Sequence, residues 1–215
     1  MRNGANRKLL ISGRVEELST DTDLNDLSES DKIKTVTFHF RKIMEALGLD
    51  LEDDSLRDTP SRVAKMYVKE IFSGLEPNNF PAISVFDNTY RYNEMLIERD
   101  IPVYSCCEHH FVPFVGKAHV AYFPSDKVIG LSKLNRVVKY FSRRPQVQER
   151  LTIDVANSLK EILRTEDIAV MIEAKHFCVA GRGVEDSNSA TVTSHFGGKF
   201  TLQENKRSFY DSLKD

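Results

Sequence analysis

Two short clusters hold all three cysteines and three of the six histidines of this 215-residue sequence. The first is Cys106-Cys107-Glu108-His109-His110, and the second, His176-Phe177-Cys178, follows about seventy residues later. Thiolate sulfur and imidazole nitrogen are zinc ligands, and a catalytic zinc ordinarily keeps three protein ligands and one open position for water. Two cysteines and a histidine meet that requirement. Cys106 to His109 and Cys107 to His110 both have the C-x-x-H separation that lets a turn close on a metal, and spacing alone does not choose between them. The second cluster reads as strand, where residues two apart share a face. His176 and Cys178 are therefore expected to point the same way, a ligand beside an uncoordinated histidine. Taken singly, a free cysteine is ordinarily a small core hydrophobe and a histidine a hydrogen-bonded structural group. The crowding of these residues reverses that preference. His39, His119 and His195 lack such company and read as structural.

A second chemistry is suggested by Gly130-Leu131-Ser132-Lys133-Leu134-Asn135-Arg136, where a glycine turn leads into a helix read as capped by Ser132. Free N–H groups and the positive end of the helix dipole favour an anion, and Lys133 and Arg136 on adjacent turns add to the attraction. A solvated basic face is the commoner fate of such residues, so the stretch alone is evenly balanced. Gly181-Arg182-Gly183 offers an arginine between residues that permit close backbone approach. Neither G-x-x-x-x-G-K-[ST] nor G-x-G-x-x-G occurs, which disfavours the common nucleotide-binding architectures.

The elements that must position these groups follow from periodicity. Residues 1–30 are polar and read as a flexible arm, unable to bury enough surface to fold alone. Ile33, Val36, Phe40, Ile43, Met44 and Leu47 mark one helical face up to Gly48, and Thr59-Pro60 announces a second helix running toward Gly74. These make a helical segment over 31–76. The domain over 77–215 is expected to carry strands over 82–86, 95–105, 115–123, 168–179 and 191–202. Two helices intervene, the first broken by Pro145 and the second striped by Val147, Leu151, Val155, Leu159 and Leu163. The result is an α+β domain whose antiparallel sheet is covered by helices on one face.

Composition bounds the partners. Thirty basic and 32 acidic residues nearly cancel, so no global positive field recruits nucleic acid, and any anion site must be local. No window approaches a membrane span. Three cysteines in a chain of this length read as reduced thiols in a cytoplasmic compartment.

Taken in order, Ser105-x-Cys107-Glu108-His109-His110, Gly130-Leu131-Ser132-Lys133-x-x-Arg136, Arg144-Pro145-Gln146-Val147-Gln148-Glu149-Arg150-Leu151-Thr152, His176-x-Cys178, Arg182-Gly183 and Gly197-Gly198 resemble the GTP cyclohydrolase I family. The resemblance covers roughly residues 32–205. It implies a T-fold subunit with N-terminal helices and a four-stranded antiparallel sheet, assembled into a homodecamer whose active sites lie at subunit junctions. It implies zinc ligands at Cys107, His110 and Cys178, with Cys106 a bystander. The implied reaction converts GTP to 7,8-dihydroneopterin triphosphate and formate, the first step of tetrahydrofolate or tetrahydrobiopterin-type pterin biosynthesis. The same pattern makes His109 and His176 proton carriers, puts Ser132 near the ribose and Glu149 on the guanine, and counts Gln148 among the substrate-binding residues. Lys133, Arg136 and Arg182 hold the triphosphate, with Arg62 and Lys65 joining from another subunit. A closed structural zinc site would ordinarily need a fourth ligand, and a nitrile reductase of the queuosine type would need a lone nucleophilic cysteine and no triphosphate cations.

Overall fold

The computed structural model describes residues 27–214, so most of the arm expected over residues 1–30 lies outside the described residues. The chain divides into two compact units, one ending at Ala64 and the other running from Lys65. In the first, α1 (Glu29–Ala46) starts three residues earlier than its apolar stripe suggests. Ser28 explains the difference: its Oγ accepts from the Asp31 N–H at 3.2 Å and donates to the Asp31 carboxylate at 2.6 Å. Glu29 and Asp31 also put negative charge at the positive end of the helix dipole. Gly48, at φ +75°, takes the left-handed conformation that ends a helix without a Cβ penalty. The next helix, α2 (Thr59–Met66), continues as a π-helical turn over Tyr67–Ile71.

The second unit is a mixed α+β structure built on a sheet of five strands rather than four. Its order is β5-β2-β3-β6-β7. β2 (Leu96–Cys107), β3 (Pro113–Tyr122), β6 (Ile168–His176) and β7 (Thr191–Phe196) run antiparallel to their neighbours. The extra strand, β5 (Pro145–Gln146), pairs in parallel with Cys106 and Cys107. Pro145 does break the preceding helix, but the freed backbone then pairs with β2, a long-range event that local pattern does not encode. Residues 82–86 give only β1 (Val85–Asp87), which pairs with β4 (Lys127–Ile129) in a separate two-stranded sheet.

Helices lie on both faces of the main sheet, not on one. On the first face α3 (Leu131–Ser142) and α4 (Gln148–Leu163) bury Leu134, Val137, Val138, Leu151, Val155 and Leu159 against Val103, Val120, Val170 and Ile172. Full burial of such side chains stabilises the fold by about 1.5–3 kcal/mol each. On the opposite face, the 3-10 turn Gly198–Thr201 and α6 (Gln203–Asp211) bring Phe200 and Phe209 onto Ala121, Ala169 and Met171. Alternation along β3 and β6 sends successive residues to the two cores. Among the described residues no helix is long and apolar enough to cross a membrane.

Candidate metal centre and active site

The sheet delivers its chemistry at one end. β2 stops at Cys107, whose N–H donates to the Val112 carbonyl at 2.8 Å. The Cys107 carbonyl in turn accepts from the N–H groups of His110 at 3.4 Å and Phe111 at 2.9 Å. This tight turn requires φ +54° at Phe111, an uncommon conformation for an aromatic residue. The Phe111 ring packs edge-on against Phe72 and Tyr67, at centroid separations of 5.4 and 6.4 Å, which holds the turn down.

Across the sheet the second cluster does not continue as strand. β6 ends at His176, and Cys178 sits in α5 (Phe177–Ala180), a single helical turn, so the two residues reach the site by a change of backbone direction rather than by strand alternation. Gly183 follows Arg182 at φ +66°, where a side chain would be strained.

Cys107, His110 and Cys178 offer ligand atoms that all lie within 4.8 Å of one another. Cys107 Sγ is 3.8 Å from His110 Nδ1. A tetrahedral zinc with ordinary bond lengths needs about 3.5–3.8 Å between ligand atoms, so small adjustments complete the set. The electrostatics point the same way. Burial and the adjacent Cys107 thiol push the Cys178 thiol up, because two neighbouring thiolates repel without a cation between them. A divalent ion reverses that preference. Two sulfurs, one imidazole and an open fourth position fit zinc. Of the two C-x-x-H pairs, the group of converging ligand atoms contains Cys107 and His110 and neither Cys106 nor His109. Cys106 is buried, and burial followed by the nearby Cys107 pushes its thiol up to about 11.

The other expected site residues divide into those gathered at the trio and those held elsewhere. His109 is exposed, with Nδ1 at 3.8 Å from Cys107 Sγ and Nε2 at 3.9 Å from Glu108 Oε1. Arg182 is exposed and donates from Nη1 to His110 Nε2 at 3.1 Å. His176 lies face to face with Phe114, its cross-strand partner, at 4.6 Å between centroids and 10° between planes. Burial draws His176 below the usual histidine range, opposed by the Glu149 carboxylate. Gln148 is 1% exposed, and its amide contacts His176, Ile172, Thr191 and Thr193.

Ser132, Lys133 and Arg136 lie on α3, and among the described residues no hydrogen bond or ion pair joins their side chains to the trio. The helix starts at Leu131 with Gly130 as its cap and without any side-chain cap, so Ser132 stands inside the first turn rather than at the cap. Arg136 lines a cavity of about 300 Å³ with Lys139 and Arg143. Arg62 and Lys65 belong to α2, where Arg62 faces Asp58 at 3.6 Å.

Glu108, Arg150, Phe111, Phe114, Thr152 and Thr193 were given no role by sequence. Glu108, Arg150 and Thr152 stand inside the motifs, where the opposite charges of the first two are the available signal; Phe111, Phe114 and Thr193 become visible only through contacts that the fold creates.

The family profile described as GTP cyclohydrolase I matches residues 36–214. The chain is 54% identical over 192 residues to GTP cyclohydrolase 1 of Flavobacterium johnsoniae, covering 89% of this chain and 86% of that protein. It is 51% identical over 209 residues to GTP cyclohydrolase 1 of Aeromonas salmonicida, covering 96% of each. With GTP cyclohydrolase 1 of Serratia proteamaculans the identity is 49% over 201 residues, covering 93% and 91%. Among solved structures, the apo form of the archaeosine synthase QueF-Like overlays 48% of this chain and 92% of its own, at 16% identity and a TM-score of 0.37.

Proposed function

This chain belongs to the GTP cyclohydrolase I family, and we propose that it is a zinc-dependent hydrolase converting GTP to 7,8-dihydroneopterin triphosphate and formate. The observation that carries the reading is the convergence of Cys107, His110 and Cys178 at one end of the sheet, with His109 and Arg182 beside them and His176 two residues before Cys178. Cys107, His110 and Cys178 would hold the zinc, which when bound supplies a Lewis acid that lowers the pKa of water near neutral pH.

The chain's own residues supply the rest. His176 and His109 carry protons to and from the opening imidazole ring of the purine, the first buried against Phe114 and the second exposed at the mouth. Glu149, exposed at the start of α4 and close enough to act on His176, accepts from the N–H edge of guanine. Ser132 meets the ribose. Arg182, Lys133 and Arg136 bind the triphosphate, with Arg62 and Lys65 contributed by another copy; guanidinium forks suit phosphate oxygens. Such a division of labour fits a T-fold subunit in a homodecamer, with each active site completed at a subunit junction, and it explains how a chain of formal net charge −2 binds a polyanion. The product would enter folate or biopterin-type pterin synthesis in the cytoplasm.

The test is incubation of zinc-loaded protein with GTP, followed by measurement of formate and, after oxidation and dephosphorylation, of fluorescent neopterin. Stoichiometric formate and neopterin are expected. Fully metallated protein that releases neither would sink the reading.

A further inference from the structure

Among the described residues His176 makes one hydrogen bond, and the surroundings fix the direction of that bond. Thr152 Oγ1 lies 2.9 Å from the Gln148 backbone carbonyl, which can only accept, so the Thr152 hydroxyl hydrogen is spent there. Thr193 must then be the donor in its 2.7 Å contact with Thr152. The remaining contact of Thr193 Oγ1, 3.1 Å from the Gln148 side-chain nitrogen, can only be one in which it accepts. Two carbonyls, those of Ile172 and Thr191, each 2.9 Å from the same nitrogen, impose the same orientation. An amide that presents its NH2 to three acceptors presents its oxygen on the other side, and Oε1 lies 2.7 Å from His176 Nε2. An amide oxygen cannot donate. The hydrogen therefore sits on His176 Nε2.

Gln148, Thr152 and Phe114 are essentially removed from solvent, while Thr193 and His176 are partly exposed. Phe114 fixes the plane of the ring, and Gln148 fixes its tilt within that plane. His176 Nδ1 has no hydrogen-bond partner among the described residues.

We propose that Gln148 is a positioning residue: it holds His176 as the Nε2–H tautomer and leaves Nδ1 as the nitrogen presented to the substrate. The proposal deepens the proposed function and rests on its reading of His176 as a proton carrier. It also gives Gln148 a task other than contact with the base. The relation resembles that of other catalytic histidines, whose second nitrogen is fixed by a neighbour that selects the tautomer.

Neutron diffraction from perdeuterated crystals of the zinc-loaded full chain, at a pH above the ordinary histidine range, tests the assignment directly. Deuterium on His176 Nε2, directed at Gln148 Oε1, with a bare Nδ1 is expected. Deuterium on Nδ1 with a bare Nε2 overturns the proposal. This readout does not depend on turnover, so a protein inactive toward GTP but protonated at Nε2 would count against the proposed function and leave the tautomer standing. A kinetic arm separates positioning from substrate binding. In Gln148→Leu, kcat for formate release should fall by about tenfold to a hundredfold, with KM for GTP nearly unchanged. A raised KM with kcat preserved overturns the proposal, because that is the signature of a group that binds the nucleotide.

Discussion

Glu108 and Arg150 form an ion pair that fastens the turn between Cys107 and His110 to the first turn of α4. Arg150 also donates from Nε to Gln146 Oε1 at 2.7 Å and from Nη2 to the Pro145 carbonyl at 3.1 Å, while the Glu108 N–H donates to the Gln146 carbonyl at 3.1 Å. Both side chains are partly exposed, so the pair contributes at most about 1 kcal/mol to stability. Its larger effect falls on the orientation of the ligand turn. Arg150→Met is expected to leave the melting temperature within a few degrees and to weaken zinc binding by about tenfold. Competition against a chromophoric chelator measures this, and an unchanged affinity would reduce the pair to a surface contact.

The three thiols should separate cleanly. Cys107→Ser and Cys178→Ser each remove one of three ligands and are expected to abolish stoichiometric zinc and activity together. Cys106→Ser should retain both, because its sulfur is not among the converging ligand atoms and, among the described residues, its hydrogen-bond partner is the Cys107 carbonyl at 3.9 Å. Metal content by mass spectrometry on purified protein decides it, and equal loss in all three would mean the ligand set is wrong.

Two histidines outside the Cys107, His110 and Cys178 group make stability depend on pH. Burial holds His119 and His195 below the ordinary value of 6.5. His119 Nδ1 accepts the Asp100 N–H at 3.3 Å, and His195 Nε2 is buried without a partner among the described residues. Protonation disturbs both sites. The unfolded chain therefore binds protons that the folded chain does not, and stability rises with pH from the folded pKa values up to about 6.5. Urea unfolding from about pH 5 to 7 should show this slope, and the double variant His119→Gln, His195→Gln should flatten it.

Phe209 holds α6 to the sheet. The ring is fully buried, edge-on to Phe196 at 5.6 Å and Phe200 at 6.2 Å. Phe209→Ala is expected to cost about 3–5 kcal/mol by denaturant titration. A loss below about 1 kcal/mol would mean that α6 is not anchored by this residue.

Phe209 also shows where sequence reading ran out. The polarity of Gln203–Asp211 gives no sign of burial, yet one aromatic side chain fixes it to a face that the helical stripes of α3 and α4 do not reach. Those two helices were legible because an apolar stripe is repeated over several turns. The metal cluster was legible because thiol and imidazole are scarce and their grouping carries chemistry by itself, although choosing between two equivalent spacings required a resemblance or a fold. The backbone around Cys178 was misread because Phe177–Ala180 is only one turn long and rich in strand-forming residues, too short for helical period to appear. β5 was missed for a different reason: two residues carry no pattern, and their pairing is supplied by β2, some forty positions earlier.

Cys107 and His110 close β2, Cys178 follows β6, and β3 lies between those strands. An ion held by all three would therefore bridge across an intervening strand. In a chain emerging from the ribosome, the first two ligands appear about seventy residues before the third. They can be brought to it only after β2, β3 and β6 have aligned. Capture of a metal by the full trio would thus be a late event in the life of each molecule, and the rate at which added zinc becomes resistant to chelators would be a clock for completion of the sheet.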